Sequence, residues 1–286
     1  MITGSFRGFA VTLENPGIVL VTFNEPDRMN GMTMPMKRDL IETLTQAQMD
    51  ETVRVVVFTG SGRVFSAGDD ISTSMNEAGA PTGLVPDIPK GFSTARDHAL
   101  GTYNGLRTFS QALNLAVRNL DKMTIAAING VAIQTGLSLA LCCDFRIAST
   151  TARLGSGTLR FGLMPDEGGH HLLLQHMGLA RTIEFLFRNE IVEAEEAKRL
   201  GLVHDVVPPG DLIGAAMELA QELAAGPQVA MRLLKRSVYH AADATFADAL
   251  EDIATKTAIG DLHADAREGI TAFREKRAPH FNRWLE

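Results

Sequence analysis

The chain has 286 residues, enough for one large domain or for a domain with a substantial appendage. Its hydrophobic fraction of 45% and charged fraction of 21% are those of a folded globular protein and exclude disorder over most of the length. The formal net charge of −7 excludes the basic footprint that a nucleic-acid partner needs, so an anionic ligand must be held by local cationic contacts.

In chain order, β-branched apolar runs bounded by Gly, Pro or Asn predict strands at 9–13, 18–23, 53–59, 124–128 and 145–148. Helical periodicity predicts helices at 34–49, 102–120 and 135–141, and a nearly continuous helical pattern from Gly168 onward. Strands alternating with helices imply an α/β protein with largely parallel connections. Between them, residues 72 to about 100 hold three prolines and three glycines without periodicity, the pattern of a substrate-facing lid or a plain surface loop. Its apolar residues Leu84, Val85, Ile88 and Phe92 suit a lipophilic pocket or ordinary loop packing.

Residues 124–143 carry no charge over about the length that spans a bilayer. Asn129, Gly130, Gln134, Thr135, Gly136 and Ser138 interrupt the run, which therefore predicts a buried strand, turn and helix instead of a membrane span. The N-terminus has no basic segment followed by a long apolar core, and the adjacent Cys142 and Cys143 have neither metal-ligand spacing nor bridging geometry. A reducing, cytoplasmic setting is the expectation.

Two segments carry the chemistry. Residues 63–71, RVFSAGDDI, and 124–144, TIAAINGVAIQTGLSLALCCD, each read as a β-like run, a tight Gly-containing turn and the start of a helix. Such turns leave backbone N–H groups aimed outward, and two of them brought together make an oxyanion hole.

The pairing of FSAGDD (65–70) with NGVAIQTGLSLALCCD (129–144), followed by FGLMPDEGG (161–169), resembles the crotonase superfamily, the enoyl-CoA hydratase/isomerase family. NEPDRMNGM (24–32) resembles that family's early CoA-contacting segment and AFREKR (272–277) its C-terminal helix, so the likeness covers nearly the whole chain. It implies a spiral core of repeated ββα units over 1–208 and a helical C-terminal region over 209–286. That region drives assembly into a homotrimer or a hexamer of two trimers. It also implies an acyl-CoA thioester as substrate, with coenzyme A entering as part of it and no separate cofactor or metal.

By the resemblance, the N–H groups of Asp69 and Thr135 hold the thioester oxygen as it gains charge, and since the donors are backbone the side chains there are weakly constrained. Ala67, Gly68 and Gly136 line the same turns. Hydratases of the family carry two glutamates, but the matching positions here are Ser138 and Thr158, neither of which can act as a carboxylate base. Asp166 matches the base aspartate of dienoyl-CoA isomerases, or it caps the helix after it; Glu167 is the second candidate base. His170, His171 and His176 lack ligand spacing and are expected at the surface or an interface. Arg28, Phe273 and Lys276 are the implied contacts to coenzyme A. The resemblance thus points to double-bond isomerisation of an enoyl-CoA with Asp166 as base. The alternatives are hydration by non-standard acids or a non-catalytic acyl-CoA-binding role.

Overall fold

The computed structural model describes residues 1–70, 83–94 and 97–285. An antiparallel trio opens the chain, β1 (Gly4–Phe6), β2 (Phe9–Glu14) and β3 (Ile18–Phe23), followed by helix α1 (Met34–Met49). Three units then repeat one plan, a longer strand, a three-residue strand and helical chain. They are β4 (Val55–Gly60) and β5 (Val64–Ser66) with α2 (Ala99–Gly105) and α3 (Gln111–Arg118); β6 (Met123–Ile128) and β7 (Val131–Ile133) with α4 (Thr135–Cys142); and β8 (Phe145–Ser149) and β9 (Arg153–Gly155) with α5 (Gly169–Phe187). The remainder comprises β10 (Ile191–Glu193), α6 (Ala194–Arg199), β11 (Asp205–Val207), α7 (Leu212–Ala225), α8 (Gln228–Ala241), α9 (Phe246–Asp261) and α10 (Ala264–Glu275).

Among the described residues the longer strands form one sheet in the order β1-β2-β3-β4-β6-β8-β11, parallel from β3 onward. The short strands form a second sheet, β10-β9-β7-β5, in which β9, β7 and β5 are parallel. Strands β4 and β6 are almost entirely buried and largely apolar because both faces of a parallel sheet are covered. One face of the large sheet, with Val56, Phe58, Ala126 and Ile128, joins Leu40 and Leu44 of α1 and Leu113 and Val117 of α3 in the main core. The alternate residues Val55, Val57, Ile125 and Ala127 pack on Leu212, Ala216, Ala220 and Ala224 of α7, a four-residue spacing that lines one helix face. At about 1.5–3 kcal/mol for each fully buried Val, Leu, Ile or Phe, these clusters outweigh the exposed ion pairs at about 0–1 kcal/mol apiece.

Two expectations are corrected. The helix over 102–120 is interrupted by a π turn at Leu106–Ser110, and the chain after Gly168 includes the strands β10 and β11. A π turn keeps near-helical periodicity, and three-residue strands are too short to display alternation. Residues 124–143 form β6, β7 and α4, and among the described residues no helix is long and apolar enough to cross a membrane.

Candidate active site

The three short parallel strands position the site. The chain leaves β5, β7 and β9 at their C-terminal ends through 67–70, through Gln134 and through 156–158, and in parallel sheets such ends open a crevice for ligands. The Gln134 N–H donates to the Gly155 carbonyl at 3.1 Å, extending the β7–β9 ladder into the turn.

The first turn is shaped from outside by the segment 24–32. Ala67 N–H donates to the Met29 carbonyl (3.0 Å), Met32 N–H to Gly68 (2.8 Å) and Asp70 N–H to Met32 (3.2 Å). This isolated parallel bridge between Met32 and Asp69 directs the Asp69 N–H and C=O away from Met32. The buried Asn30 is held in the left-handed region at φ 49°, where its amide donates to the Val64 carbonyl (2.7 Å) and to that of Ser61 (3.1 Å). Arg28 is ion-paired with Asp70. The expected CoA-contacting segment therefore also serves as scaffolding for the turn.

The second turn pivots on Gln134 at φ 51°, ψ −113°, a backbone region that costs a non-glycine residue about 1–3 kcal/mol. Its side chain is clamped, donating to Glu167 Oε2 (2.9 Å) and accepting from Ser156 Oγ (2.9 Å). The first intrahelical bond of α4 is from Ser138 N–H to the Gln134 carbonyl (2.8 Å), so the Thr135 N–H belongs to the orphan donors that open a helix.

Glycines let the turns meet. A Cβ at Gly68, where φ is +102°, would lie 3.2 Å from the Ile133 oxygen and 3.6 Å from the Thr135 nitrogen. A Cβ at Gly136 would lie 2.3 Å from the Ser66 carbonyl oxygen. Positions 69 and 135 are therefore neighbours, and their side chains are joined directly: Thr135 Oγ1 bonds Asp69 Oδ1 at 2.7 Å. The expectation that these side chains are weakly constrained is corrected, because each has a buried partner.

That link belongs to a longer chain. Lys37, 1% exposed on α1, donates to Asp69 Oδ1 (2.5 Å) and to Ser110 Oγ (2.8 Å). Thr135 Oγ1 also lies 2.5 Å from Glu167 Oε1. Sequence reasoning missed Lys37, Ser110, Gln134 and Ser156. One signal was available: Lys37 shares a face of α1 with Leu40, Leu44 and Ala47, and a charge inside an apolar stripe calls for a buried partner.

Asp166 and Glu167 are held by α3, whose Gln111 and Asn114 amides donate to their carbonyl oxygens, each at 3.0 Å. Asp166 is half-buried and does not cap α5; the capping position is Gly168, which supplies no side-chain bond. Burial pushes the Glu167 carboxyl up to about 7, and the Asp166 and Asp69 charges add to the rise.

The remaining positions are spread more widely. Ser138 is buried in α4, its Oγ 2.6 Å from where a Cβ at Gly169 would stand, so it lies directly beneath the start of α5. Thr158 opens a 3-10 turn, Thr158–Phe161, and its buried Oγ1 has no partner among the described residues. His170 and His171 are exposed and His176 is half-buried. Among the described residues no three of His, Cys, Asp or Glu cluster as metal ligands would. Phe273 is 85% exposed on α10 and Lys276 follows as its left-handed cap. Ile71, the end of the first segment, and much of the insert, 72–82 with 95 and 96, lie outside the described residues. The insert's described part is tied to α1, where Asp39 accepts from the Leu84 and Val85 N–H groups at 3.0 and 3.2 Å, while Phe92 packs edge-on against Phe109. A small cavity lined by Met34, Lys37, Asp69, Thr94 and Ser110 adjoins the first turn. A larger one of about 470 Å³ lies among α8, α9 and α10 and shares no lining residue with the turns.

Comparison with known proteins agrees with this arrangement. The model of the enoyl-CoA hydratase/isomerase family matches residues 14–87 and 91–283. The chain is 33% identical over 273 residues to a 1,2-epoxyphenylacetyl-CoA isomerase of Escherichia coli, spanning 96% of this chain and 98% of that one. It is 30% identical over 271 residues to a short-chain-enoyl-CoA hydratase of Clostridium acetobutylicum, spanning 93% and 95%. A crystal structure of an enoyl-CoA hydratase from Bacillus anthracis superposes with a TM-score of 0.85 at 28% identity, covering 96% of this chain and 99% of that one. With two turns converging at the ends of parallel strands and a family match along almost its full length, the chain belongs to the enoyl-CoA hydratase/isomerase family, the crotonase superfamily, and is an enzyme that processes enoyl-CoA thioesters.

Proposed function

We propose that the enzyme migrates the double bond of a 3-enoyl-CoA to the 2-position, with Asp166 as the proton carrier. The Asp166 carboxylate takes a proton from C2, the electron pair moves into the thioester, and the N–H groups of Asp69 and Thr135 hold the oxygen that gains the charge. The resulting acid returns the proton to C4, which leaves the conjugated 2-enoyl-CoA and regenerates the carboxylate. One carboxylate suffices, whereas water addition by the two-glutamate route needs acids that Ser138 and Thr158 do not supply.

The observation that supports this reading is the joining of positions 69 and 135 across the two turns, through the 2.7 Å bond from Thr135 to Asp69 and the close approach of Gly136 to Ser66. Asp166 is preferred over Glu167 as the base because it matches the base aspartate of dienoyl-CoA isomerases and lies half-buried, whereas Glu167 is 5% exposed. Ala67, Gly68, Gly136, Ser138 and Thr158 line the acyl end in this reading, and Arg28, Phe273 and Lys276 meet coenzyme A, which arrives as part of the substrate. Assembly as a trimer or hexamer belongs to the same proposal, with Leu179, Ile183 and Phe187 as an exposed apolar row on α5 that a neighbour would cover. So does a cytoplasmic setting, which suits the unpaired, buried Cys142 and Cys143.

The test is Asp166→Asn assayed for 3-enoyl-CoA to 2-enoyl-CoA conversion. Loss of a positioned acid–base group lowers kcat by about 10²–10⁴-fold with little change in KM. Wild-type turnover in that variant would remove Asp166 from the mechanism.

A further inference from the structure

Proton counting across the buried chain of side chains assigns a state to Glu167. The Thr135 hydroxyl has one hydrogen, yet Oγ1 lies 2.7 Å from Asp69 Oδ1 and 2.5 Å from Glu167 Oε1. It can donate to one of them only, and at the other it must accept, which an ionised carboxylate cannot provide for. One of the two carboxyls therefore carries a proton.

Their surroundings decide which. Asp69 faces the Lys37 ammonium at 2.5 Å, and the two buried-side charges compensate one another. Glu167 is 5% exposed and meets no cation among the described residues. It is faced by Thr135 and Gln134 from the second turn, by Asp69 with Lys37 behind it, by Asp166 beside it, and by Asn114 and Gln111 of α3 at the adjoining carbonyls. With the proton on Glu167 Oε1 each bond of this chain among the described residues finds a donor and an acceptor. Ser156 donates to Gln134, Gln134 to Glu167 Oε2, Glu167 Oε1 to Thr135, and Thr135 to Asp69, which Lys37 also serves while donating to Ser110.

We infer that Glu167 is a positioning residue, a neutral carboxylic acid whose O–H donates to Thr135 and so closes a side-chain clasp, Glu167–Thr135–Asp69–Lys37, that fixes the separation of the two turns. The inference rests on those turns being the thioester-oxygen site. Ionisation of Glu167 would remove the donor and set a second negative charge near the oxygen that must become negative.

Two readouts on the full-length protein test it. In thermal unfolding followed from pH 5 to pH 8.5, the wild type loses a stability component that Glu167→Gln lacks. A group whose carboxyl is raised to about 7 on folding stabilises fully below its unfolded value and loses that contribution as pH rises through about 7. In steady-state assays with a 3-enoyl-CoA, Glu167→Gln keeps a donor for Thr135 and retains kcat within about tenfold, whereas Glu167→Leu and Thr135→Val lose about 10²-fold by misplacing the turns. The alkaline fall in kcat/KM with a midpoint near 7 disappears in Glu167→Gln. Parallel melting-temperature curves for wild type and Glu167→Gln would overturn the inference, as would a loss in Glu167→Gln as deep as in Asp166→Asn. If the wild type converts no 3-enoyl-CoA, the isomerase reading fails by itself, and the thermal measurement still decides whether the clasp exists.

Discussion

Replacing Gly136 by Ala sets two effects of known size against each other. In a helix, Ala is favoured over Gly by about 1 kcal/mol, although at the second residue of α4 only part of that gain is available. Against it, the new Cβ would stand 2.3 Å from the Ser66 carbonyl oxygen and 2.9 Å from Ser66 Cβ, where ordinary contact begins at 3.4 Å. The obstacle is backbone in a buried strand, so no side chain can rotate away, and α4 must retreat from β5 by about 1 Å, an overpacking of the kind that costs about 1–3 kcal/mol. The clash wins. We expect the melting temperature to fall by several degrees, at about 2–4 °C per kcal/mol for a chain of this general size. Because α4 carries Thr135 while β5 leads to Asp69, the same retreat parts the two turns, and a displacement near 1 Å costs about 10²-fold in kcat. Differential scanning calorimetry and steady-state isomerase kinetics on one preparation measure both. A variant as stable as the wild type with unaltered kcat would refute the argument that these turns are in forced contact.

Two further outcomes follow from burial and exposure. Burial pushes the Cys142 thiol up to about 12 and Cys143 higher still, so at pH 8 neither is labelled by iodoacetamide in the native protein, while both react after denaturation; rapid native labelling would contradict the packing of α4. Lys276→Ala and Phe273→Ala raise KM for the acyl-CoA with kcat preserved, Lys276→Ala by about tenfold or more if it bonds a phosphate, and an unchanged KM in both would remove α10 from the CoA site.

Much of the architecture was legible beforehand because long apolar runs leave few choices. The strand expected at 18–23 and the helix at 34–49 coincide with β3 and α1, since six β-branched or apolar residues in a row and a sustained 3.6-residue pattern each have one good solution. Of the strands that build the site, β5 was visible as the β-like run opening 63–71, whereas β7 and β9, with three residues each, escaped notice because so short a strand displays no alternation. The two glycine turns stood out as turns, but nothing local indicates that a Cβ at Gly136 would strike Ser66, seventy positions earlier. Resemblance alone ranked Asp166 ahead of Glu167; their different burial comes from the second turn, whose Gln134 and Thr135 close over the Glu167 carboxyl while Asp166 is half-buried.

By itself, then, the order of residues determined the class of fold and the two turns, because hydrophobic period and turn chemistry act over a few residues at a time, while the resemblance of its motifs pointed to the family and to the lack of the usual glutamates at Ser138 and Thr158. Only the folded chain decided that Lys37, Asp69, Thr135 and Glu167 touch, and hence which carboxyl must keep a proton. Protonation in a buried cluster is set by which charges and donors lie within a few ångströms, and here those groups come from separate elements between residues 37 and 167.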